Sequence, residues 1–155
     1  MIVRQYRRTD WPSMFRLART MHDESPVYRD IVFSPEAIEG IERSVLSGQF
    51  VCFVAERDDE ILGFFIGGLT PFFFSTEYFS YDLALFVDPA CRGGAGIALK
   101  LVTEFIAWSN KSGAREIRIA STTGVNTEQY GKFMRKLGLV PCGTFFSRQL
   151  VPFQS

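Results

Sequence analysis

The spacing of apolar and polar positions in the first third of the chain predicts a strand and two amphipathic helices. Residues 2–6 are predicted as a short strand. Apolar residues then fall on one face at helical spacing over residues 12–21, and again over residues 34–47, where a Ser-Pro-Glu start is typical of a helix N-terminus. Residues 22–33, between the two helices, have no clear period and predict a loop.

The middle of the chain predicts three strands followed by a helix. Apolar runs at residues 50–55 and 61–67 are separated by a polar turn, which indicates a β-hairpin. A third strand is predicted over about residues 80–87. After a glycine-rich turn, an apolar stripe at helical spacing predicts a helix that ends near Ser112.

The last third of the chain sets the fold class. A strand is predicted at residues 115–120, a helix at 126–137 and one or two closing strands at 140–151. The order β-α-α-β-β-β-α-β-α-β combines antiparallel hairpins with one β-α-β crossover, which requires a parallel pair. We therefore expect an α+β fold with a mixed, mostly antiparallel sheet flanked by helices, as a single domain over residues 1–155.

Composition narrows the classes of function. The 155 residues include 22% charged and 15% aromatic residues, which favours one folded domain over a disordered chain. The formal net charge is zero, which does not suggest a nucleic-acid partner. We also expect no membrane segment and no signal peptide. Three scattered cysteines (Cys52, Cys91 and Cys142) and one histidine predict neither a disulfide framework nor a metal site, so a cytoplasmic location is expected.

The segment between the second and third strands is unusually aromatic. Phe72–Phe79 contains five aromatic side chains that would be costly to leave in water. One interpretation is a long hairpin arm or a packed edge of the core. The alternatives are a substrate lid or the contact surface of a homodimer.

A glycine-rich turn begins the helix that follows the third strand. Residues 92–96 read Arg-Gly-Gly-Ala-Gly. Glycines let a ligand approach the backbone closely, and the first amides of a helix lack internal partners and carry the positive end of its dipole. The turn therefore predicts an anion site suited to a pyrophosphate, the alternative being a turn that binds nothing.

Two other phosphate-binding patterns match this turn poorly. A Walker loop needs Gly-Lys-Ser/Thr, and no such triplet follows the glycines. A dinucleotide fingerprint needs Gly-x-Gly-x-x-Gly/Ala, and Leu99 occupies its last position.

The same segment resembles the coenzyme A loop of the GNAT superfamily of N-acetyltransferases. The resemblance is carried by Val87-Asp88-Pro89, Arg92-Gly93-Gly94 and Gly96-Ile97-Ala98, and the predicted element order agrees with the family across nearly the whole chain. The family pattern is Arg/Gln-x-x-Gly-x-Gly/Ala. Gly96-x-Ala98 matches its end, whereas Arg92 lies one residue too far upstream. The loop is therefore one residue longer, or Ala95 replaces the first glycine.

The resemblance implies that acetyl-coenzyme A (acetyl-CoA) is the cosubstrate. Pantetheine is then expected to pair with the backbone of Phe86 and Val87 in a gap between two splayed strands. The Val87 amide is expected to stabilise the oxyanion of the reaction. The pyrophosphate would be held by the loop residues Arg92, Gly93, Gly94, Ala95, Gly96, Ile97 and Ala98.

The proton donor of the family is less easily placed. Many members use a tyrosine on the last helix, and that position falls here on Met134, which has no proton to donate. Tyr130 lies one turn earlier on the same helical face and is the candidate replacement, the alternative being a tyrosine packed against the sheet. Asn126 either caps the helix or contacts the cofactor.

Asp82, His22 and Glu24 are the candidates for the general base. Period-two alternation puts Asp82 on one strand face with Ala84 and Phe86, where it either reaches the substrate or is a solvated polar residue. His22 titrates near neutrality and follows the first helix, the alternative being a structural histidine. The segment His22-x-Glu24-Ser25-Pro26-x-Tyr28 resembles a GNAT subgroup, and the family places acceptor-binding residues after the first helix. Glu24 and Tyr28 are therefore expected to bind the substrate.

Three functions remain from the sequence. The first is transfer of acetyl from acetyl-CoA to a primary amine of a small molecule or peptide, by direct attack in a ternary complex. The second is a binding module on the same fold that holds an acyl-CoA or a partner protein with little or no turnover. The third, a Rossmann-type dinucleotide-binding domain, conflicts with the early antiparallel hairpin.

Overall fold

The computed structural model describes residues 1–93, 96–120 and 127–150. Within these residues, short 3₁₀ turns at Arg8–Asp10 and Pro89–Cys91 accompany the main elements. The five strands and four α-helices are β1 (Ile2–Gln5), α1 (Trp11–Glu24), α2 (Pro35–Leu46), β2 (Phe50–Arg57), β3 (Glu60–Pro71), β4 (Tyr78–Val87), α3 (Ile97–Lys111), β5 (Glu116–Arg118) and α4 (Thr127–Lys136).

The strands form one sheet in the order β1-β2-β3-β4-β5. Neighbouring strands from β1 to β4 are antiparallel, and β4 and β5 are parallel. The crossover between β4 and β5 contains α3, as a parallel pair requires. The predicted α+β class with one parallel β-α-β unit is therefore confirmed, and the Rossmann alternative, which needs a mainly parallel sheet, is excluded.

Local chemistry explains several element boundaries. The Ser34 side chain accepts a hydrogen bond from the Ala37 amide at 3.2 Å and caps α2 at its N-terminus. The β2–β3 hairpin turns through Asp58 and Asp59, with φ values of 51° and 64°. Aspartate tolerates this left-handed region better than most residues, and two such residues fit a two-residue hairpin turn.

One face of the sheet is covered by α3 and α4. Five residues of α3 are buried there, among them Phe105. The Phe65 and Phe105 rings stack with centroids 4.3 Å apart, and Trp108 continues the stack at 5.5 Å. Gly67 is required beneath it, because a Cβ at this position would lie 2.6 Å from the Phe105 ring.

The opposite face is covered by α1 and α2. Met14 and Leu17 of α1 are buried against Phe64 and Phe86 of the sheet. By contrast, α2 buries no residue completely. The helix therefore lies over the sheet without closing onto it.

A β-bulge in β4 overturns the predicted strand alternation. The register runs Ile66↔Ala84 and then Gly67↔Asp82, so Leu83 is the extra residue on β4. Cross-strand partners share a face. Ala84 therefore lies with Ile66 on the α1 side, whereas Asp82 lies with Gly67 on the α3 side. The prediction that Asp82 shares a face with Ala84 and Phe86 is therefore wrong, because alternation does not continue through a bulge. Asp82 lies on the opposite face from both of these residues.

The predicted hairpin arm is present in the structure, whereas the predicted closing strands are not found among the described residues. Phe72–Phe79 spans the tip of the β3–β4 hairpin and the first two residues of β4, with Phe73 99% exposed. The guanidinium of Arg118 lies 3.9 Å from the centroid of the Phe79 ring.

The predicted closing strands are absent from residues 140–150, which are exposed and lack regular structure, so that prediction is wrong there. Val151 is outside the described residues.

Two negative findings concern the described residues only. No helix among them is long and apolar enough to cross a membrane. In residues 1–93, 96–120 and 127–150, no group of three or more His, Cys, Asp or Glu side chains is arranged to hold a metal ion.

Candidate active site

The parallel strands β4 and β5 pair over a short stretch and then separate. Their register runs from Phe79↔Glu116 to Tyr81↔Arg118. There β5 ends, whereas β4 continues to Val87. The part of β4 not paired with β5, from Asp82 to Val87, lines a cleft of about 970 Å³ that reaches from α1 and the following loop to α3 and α4.

The backbone of Val87 faces this cleft. The Asp88 amide donates to the Leu62 carbonyl of β3 at 2.8 Å. Because amides alternate in direction along a strand, the Val87 amide points away from β3. Its carbonyl accepts a hydrogen bond from Nε of Arg92 at 2.9 Å, from the cleft side. Phe86 and Val87 both line the cleft.

The turn after β4 presents the N-terminus of α3 to the same cleft. Asp88 Oδ1 accepts from the Ala90 amide at 3.0 Å and fixes the start of the turn. Gly93 and Gly96 adopt positive φ values of 91° and 60°, which favour glycine. Gly96 caps α3 without a side-chain acceptor, so the first helical amides have no partner from a cap.

The predicted loop residues differ in what the structure describes. Arg92, Gly93, Gly96, Ile97 and Ala98 all line the cleft. The predicted contacts of Gly94, Ala95 and Asn126 lie outside the described residues.

Arg92 joins the turn to the end of α1. Its Nη1 and Nη2 donate to the two carboxylate oxygens of Glu24 at 3.0 and 2.6 Å. The guanidinium also lies 5.0 Å from the centroid of the Phe86 ring. Since the side chain of Arg92 is 35% exposed, water screens the ion pair.

His22 and Tyr28 border the cleft on the side of α1. Nδ1 of His22 lies 2.9 Å from Asp23 Oδ1, and Nε2 lies 2.5 Å from the Ile31 carbonyl oxygen. The hydrogen bond with Asp23 and then that with Ile31 raise the pKa of His22. Both nitrogens face acceptors, so the cation is favoured, and this form cannot accept a proton. Tyr28 is held by a hydrogen bond from its amide to Ser25 Oγ at 3.1 Å.

Asp82 and Tyr130 come together at the end of β5. Asp82 Oδ1 accepts from the Ala120 amide at 3.0 Å, and the Tyr130 hydroxyl donates to the Ala120 carbonyl at 3.3 Å. Burial raises the pKa of Asp82, and the Ala120 hydrogen bond opposes this shift. Burial and then the charge of Asp82 raise the pKa of Tyr130. The hydroxyl therefore stays protonated near neutral pH.

Residues of α4 that the sequence analysis did not select also line the cleft. Met134 is only 7% exposed and belongs to the core beneath α3, so it does not face the cleft. Gln129, Phe133 and Lys136 do line it, together with Tyr130. Because these residues lie near Tyr130 on the same side of a helix, helical periodicity would have predicted them once Tyr130 was taken to face the cleft. Cys91 also lies in the wall.

Comparison with protein families identifies one matching model. The model of the Acetyltransferase (GNAT) family matches residues 11–139, which include every described wall of the cleft. Comparison with curated protein sequences finds no match.

Solved structures share this fold at low sequence identity. An acetyltransferase from Trypanosoma brucei has a TM-score of 0.74 at 20% identity, with 96% of this chain and 99% of that chain covered. An aminoglycoside acetyltransferase from an uncultured soil metagenomic sample, in complex with sisomicin, has a TM-score of 0.73 at 20% identity, with 97% and 96% covered. AAC(6')-Iy with the bisubstrate analogue CoA-S-monomethyl-acetylneamine has a TM-score of 0.75 at 19% identity, with 97% and 98% covered.

Proposed function

This chain belongs to the acetyltransferase (GNAT) family, and from that premise we propose that it transfers the acetyl group of acetyl-CoA to a primary amine by direct attack in a ternary complex. One observation carries the proposal. The separation of β4 from β5 leaves the Val87 amide facing a cleft that also receives the N-terminus of α3. A single cavity thus contains donors for a carbonyl oxygen and for a pyrophosphate.

The residues present fit acetyl-CoA. A diphosphate needs several donors and little steric obstruction, and the start of α3 supplies uncapped amides directly after Gly96, a glycine with positive φ. Arg92 adds a guanidinium at the edge of the cleft. The volume of about 970 Å³ accommodates a cofactor of this size together with an acceptor. When bound, acetyl-CoA would supply the activated acetyl group as a thioester.

Each step of the transfer has a candidate group in this chain. The neutral amine attacks the thioester carbonyl, so a C–N bond forms and the C–S bond breaks. The Val87 amide donates to the carbonyl oxygen as negative charge develops on it. Asp82 takes the proton of the amine, directly or through water, because its raised pKa makes it a stronger base than an exposed carboxylate. Tyr130 gives a proton to the departing thiolate.

The acceptor side of the proposal is an amine of a small molecule or peptide. His22, Glu24 and Tyr28 border this part of the cleft. The neighbours crystallised with sisomicin and with a CoA-acetylneamine analogue support an amine acceptor as a class. In the proposal His22 orients the loop over the cleft and is not the base, because both of its nitrogens are engaged.

Two properties beyond the chemistry complete the proposal. The three cysteines are free, which agrees with a reducing cytoplasmic location. Phe73 and Phe74 at the tip of the β3–β4 hairpin are 99% and 73% exposed, and neither lines the cleft. A homodimer contact therefore suits this tip better than a substrate lid does.

The test is calorimetric titration of acetyl-CoA into the wild type, Leu99→Glu and Leu99→Gln. Leu99 lies in the first turn of α3, is 44% exposed and lines the cleft, so neither substitution disturbs the core. Glutamate at this end of a helix favours the fold through the dipole but repels a diphosphate. We expect Leu99→Glu to bind at least about tenfold more weakly than Leu99→Gln, which matches it in size without the charge.

Transfer is then followed by mass spectrometry of the products with a panel of primary amines. Binding together with acetylation of an amine supports the proposal. A folded wild type that does not bind acetyl-CoA contradicts it. Equal binding by the two Leu99 variants contradicts the placement of the diphosphate at α3.

The alternative is an acyl-CoA-binding module with little or no turnover. It is favoured by one observation, namely that Asp82 and Tyr130 are both bonded to the backbone of Ala120 and so already have structural partners. Tight binding of acetyl-CoA without transfer to any amine of the panel would select this function. Transfer that is lost in Asp82→Asn with binding retained would select the enzyme.

A further inference from the structure

A second cavity lies under α2, on the face of the sheet opposite α3. Its volume is about 260 Å³. We call it the α2 cavity, and it is defined by Trp11, Met14, Ile41, Val45, Cys52 and Ile66, with further residues shared with the cleft. Its lining is apolar, and folded proteins seldom leave contiguous apolar surface uncovered, so the space requires an explanation.

The sequence of α2 accounts for the space. Ile38, Ile41 and Val45 form its apolar stripe, and all three are only half-buried because the helix does not close onto the sheet. The polar atoms at the wall satisfy each other, since the Tyr6 hydroxyl donates to Glu42 Oε1 at 2.6 Å. What remains is an apolar lining, which disfavours water and favours an apolar occupant.

The α2 cavity adjoins the acceptor end of the cleft. Five residues line both spaces, namely Ala18, Met21, Ile38, Leu83 and Ala84. The bulge in β4 contributes two of these shared residues, Leu83 and Ala84. It places the consecutive residues Leu83 and Ala84 on the same side of the sheet as Ile66, where regular alternation would have turned one of them away.

We propose that the α2 cavity receives the apolar part of the acceptor, which is therefore a primary amine on an alkyl or aryl-alkyl chain. The inference rests on the proposed function, because it names the substrate class of that site. A cavity of about 150 Å³ holds benzene, so the α2 cavity has room for about ten non-hydrogen atoms. The amine then lies in the cleft while its chain extends under α2.

A quantitative expectation follows for a series of n-alkylamines of increasing length. Each methylene that leaves water for the cavity improves kcat/KM about fourfold. The gain stops when the chain fills the cavity. An amine of matched length with ether oxygens in place of two methylenes loses most of the gain, because the lining offers these oxygens few donors.

The experiment compares substitutions on two sides of one helix. Val45→Trp fills the α2 cavity, whereas Leu46→Trp adds the same side chain on the exposed side, where Leu46 is 49% exposed. We expect Val45→Trp to lower the ratio of kcat/KM between n-octylamine and n-propylamine at least about tenfold, and Leu46→Trp to leave it unchanged. Ile41→Ala, which enlarges the cavity, should move the best chain length upward. Circular dichroism establishes that each variant is folded.

Binding without chemistry is measured in parallel. Trp11 lines the cavity, and Trp108 is the only other tryptophan, so the fluorescence of a Trp108→Phe protein reports on the cavity alone. Titration with n-octanol should change this emission, and Val45→Phe should weaken the response. An absent response to n-octanol overturns the inference.

The outcomes separate the inference from the function on which it rests. Acetylation with a rate independent of chain length overturns the inference and leaves the acetyltransferase. A chain-length gain that survives Val45→Trp, in a folded protein, also overturns it. Acetyl-CoA binding with no transfer to any amine contradicts the proposed function and the inference with it, even where n-octanol binds.

Discussion

Both faces of the sheet bury an apolar cluster, but the helices cover the two faces in different ways. On one face, α3 buries five residues and the Phe65–Phe105–Trp108 stack leaves so little room that position 67 must be glycine. On the other face, α2 buries none and a cavity of about 260 Å³ remains. The difference lies in the helices and not in the sheet.

This contrast indicates that the two faces of the sheet have different roles. The α3 face holds the fixed scaffold, since its core is continuous from β2 to α4. The α2 face is where space remains for a ligand. Between them, the separation of β4 from β5 gives both faces access to one cleft.

The largest effect should come from truncation on the packed face. Phe105 is fully buried and stacks on both Phe65 and Trp108. Phe105→Ala removes the ring from a region that has little freedom to collapse, and should lower the free energy of unfolding by about 4 kcal/mol. Urea denaturation measures the change. A loss similar to that of an exposed truncation would show that the two faces do not differ in packing.

An intermediate effect is expected at Asp82, where the bulge turns the carboxylate toward the packed face. Asp82→Asn should lower kcat about 100-fold, because the amide cannot accept the proton of the amine. Activity of the wild type should fall as the pH drops through the raised pKa of Asp82, and this acid limb should be absent from the residual activity of the variant. The control is Glu104→Gln, an exposed carboxylate of α3. A full acid limb in Asp82→Asn would exclude Asp82 as the base.

The same carboxylate has a predictable effect on stability. Its pKa is raised in the folded protein, so its contribution to stability is fully present below the ordinary pKa of aspartate and is lost as the pH rises through the raised value. The melting temperature of the wild type relative to that of Asp82→Asn should therefore be highest in acid and should decline as the pH rises, as thermal unfolding measures. The opposite trend would show that Asp82 is stabilised in its charged form.

The smallest effect should come from truncation on the open face. Ile41 is half-buried beside the α2 cavity, so Ile41→Ala removes fewer contacts than a core truncation does. We expect a loss of about 1 kcal/mol in the free energy of unfolding. Urea denaturation alongside Phe105→Ala makes the comparison direct. A loss as large as that of Phe105→Ala would mean that α2 is packed as firmly as α3.

Much of the fold could be predicted because the determinants are local. Ser34 caps α2 and the polar turn after β2 closes a hairpin, as the sequence indicated. The crossover through α3 follows from chain order alone. The closing strands were not predictable in the same way, because apolar runs near Val140 indicate strands only if a neighbouring strand is available to pair with them.

The site was predicted less completely than the fold. The glycine-rich turn and the backbone of Val87 depend on local chain geometry, and Val87 and the described residues of the turn lie at the cleft. The sheet face on which Asp82 lies depends on a β-bulge, and the residue types in β4 do not predict a bulge. The pairing of Glu24 with Arg92 joins residues 68 positions apart, so it depends on tertiary placement that periodicity does not encode.

The single extra residue at Leu83 has a consequence for the transfer of knowledge between relatives. On the C-terminal side of the bulge, a column-by-column alignment with a relative whose strand is regular keeps equivalent side chains on equivalent faces. On the N-terminal side, the same alignment is out of phase by one position unless a gap is placed at Leu83. Any residue equivalence inferred for Asp82 from such a relative therefore depends on where that gap is drawn.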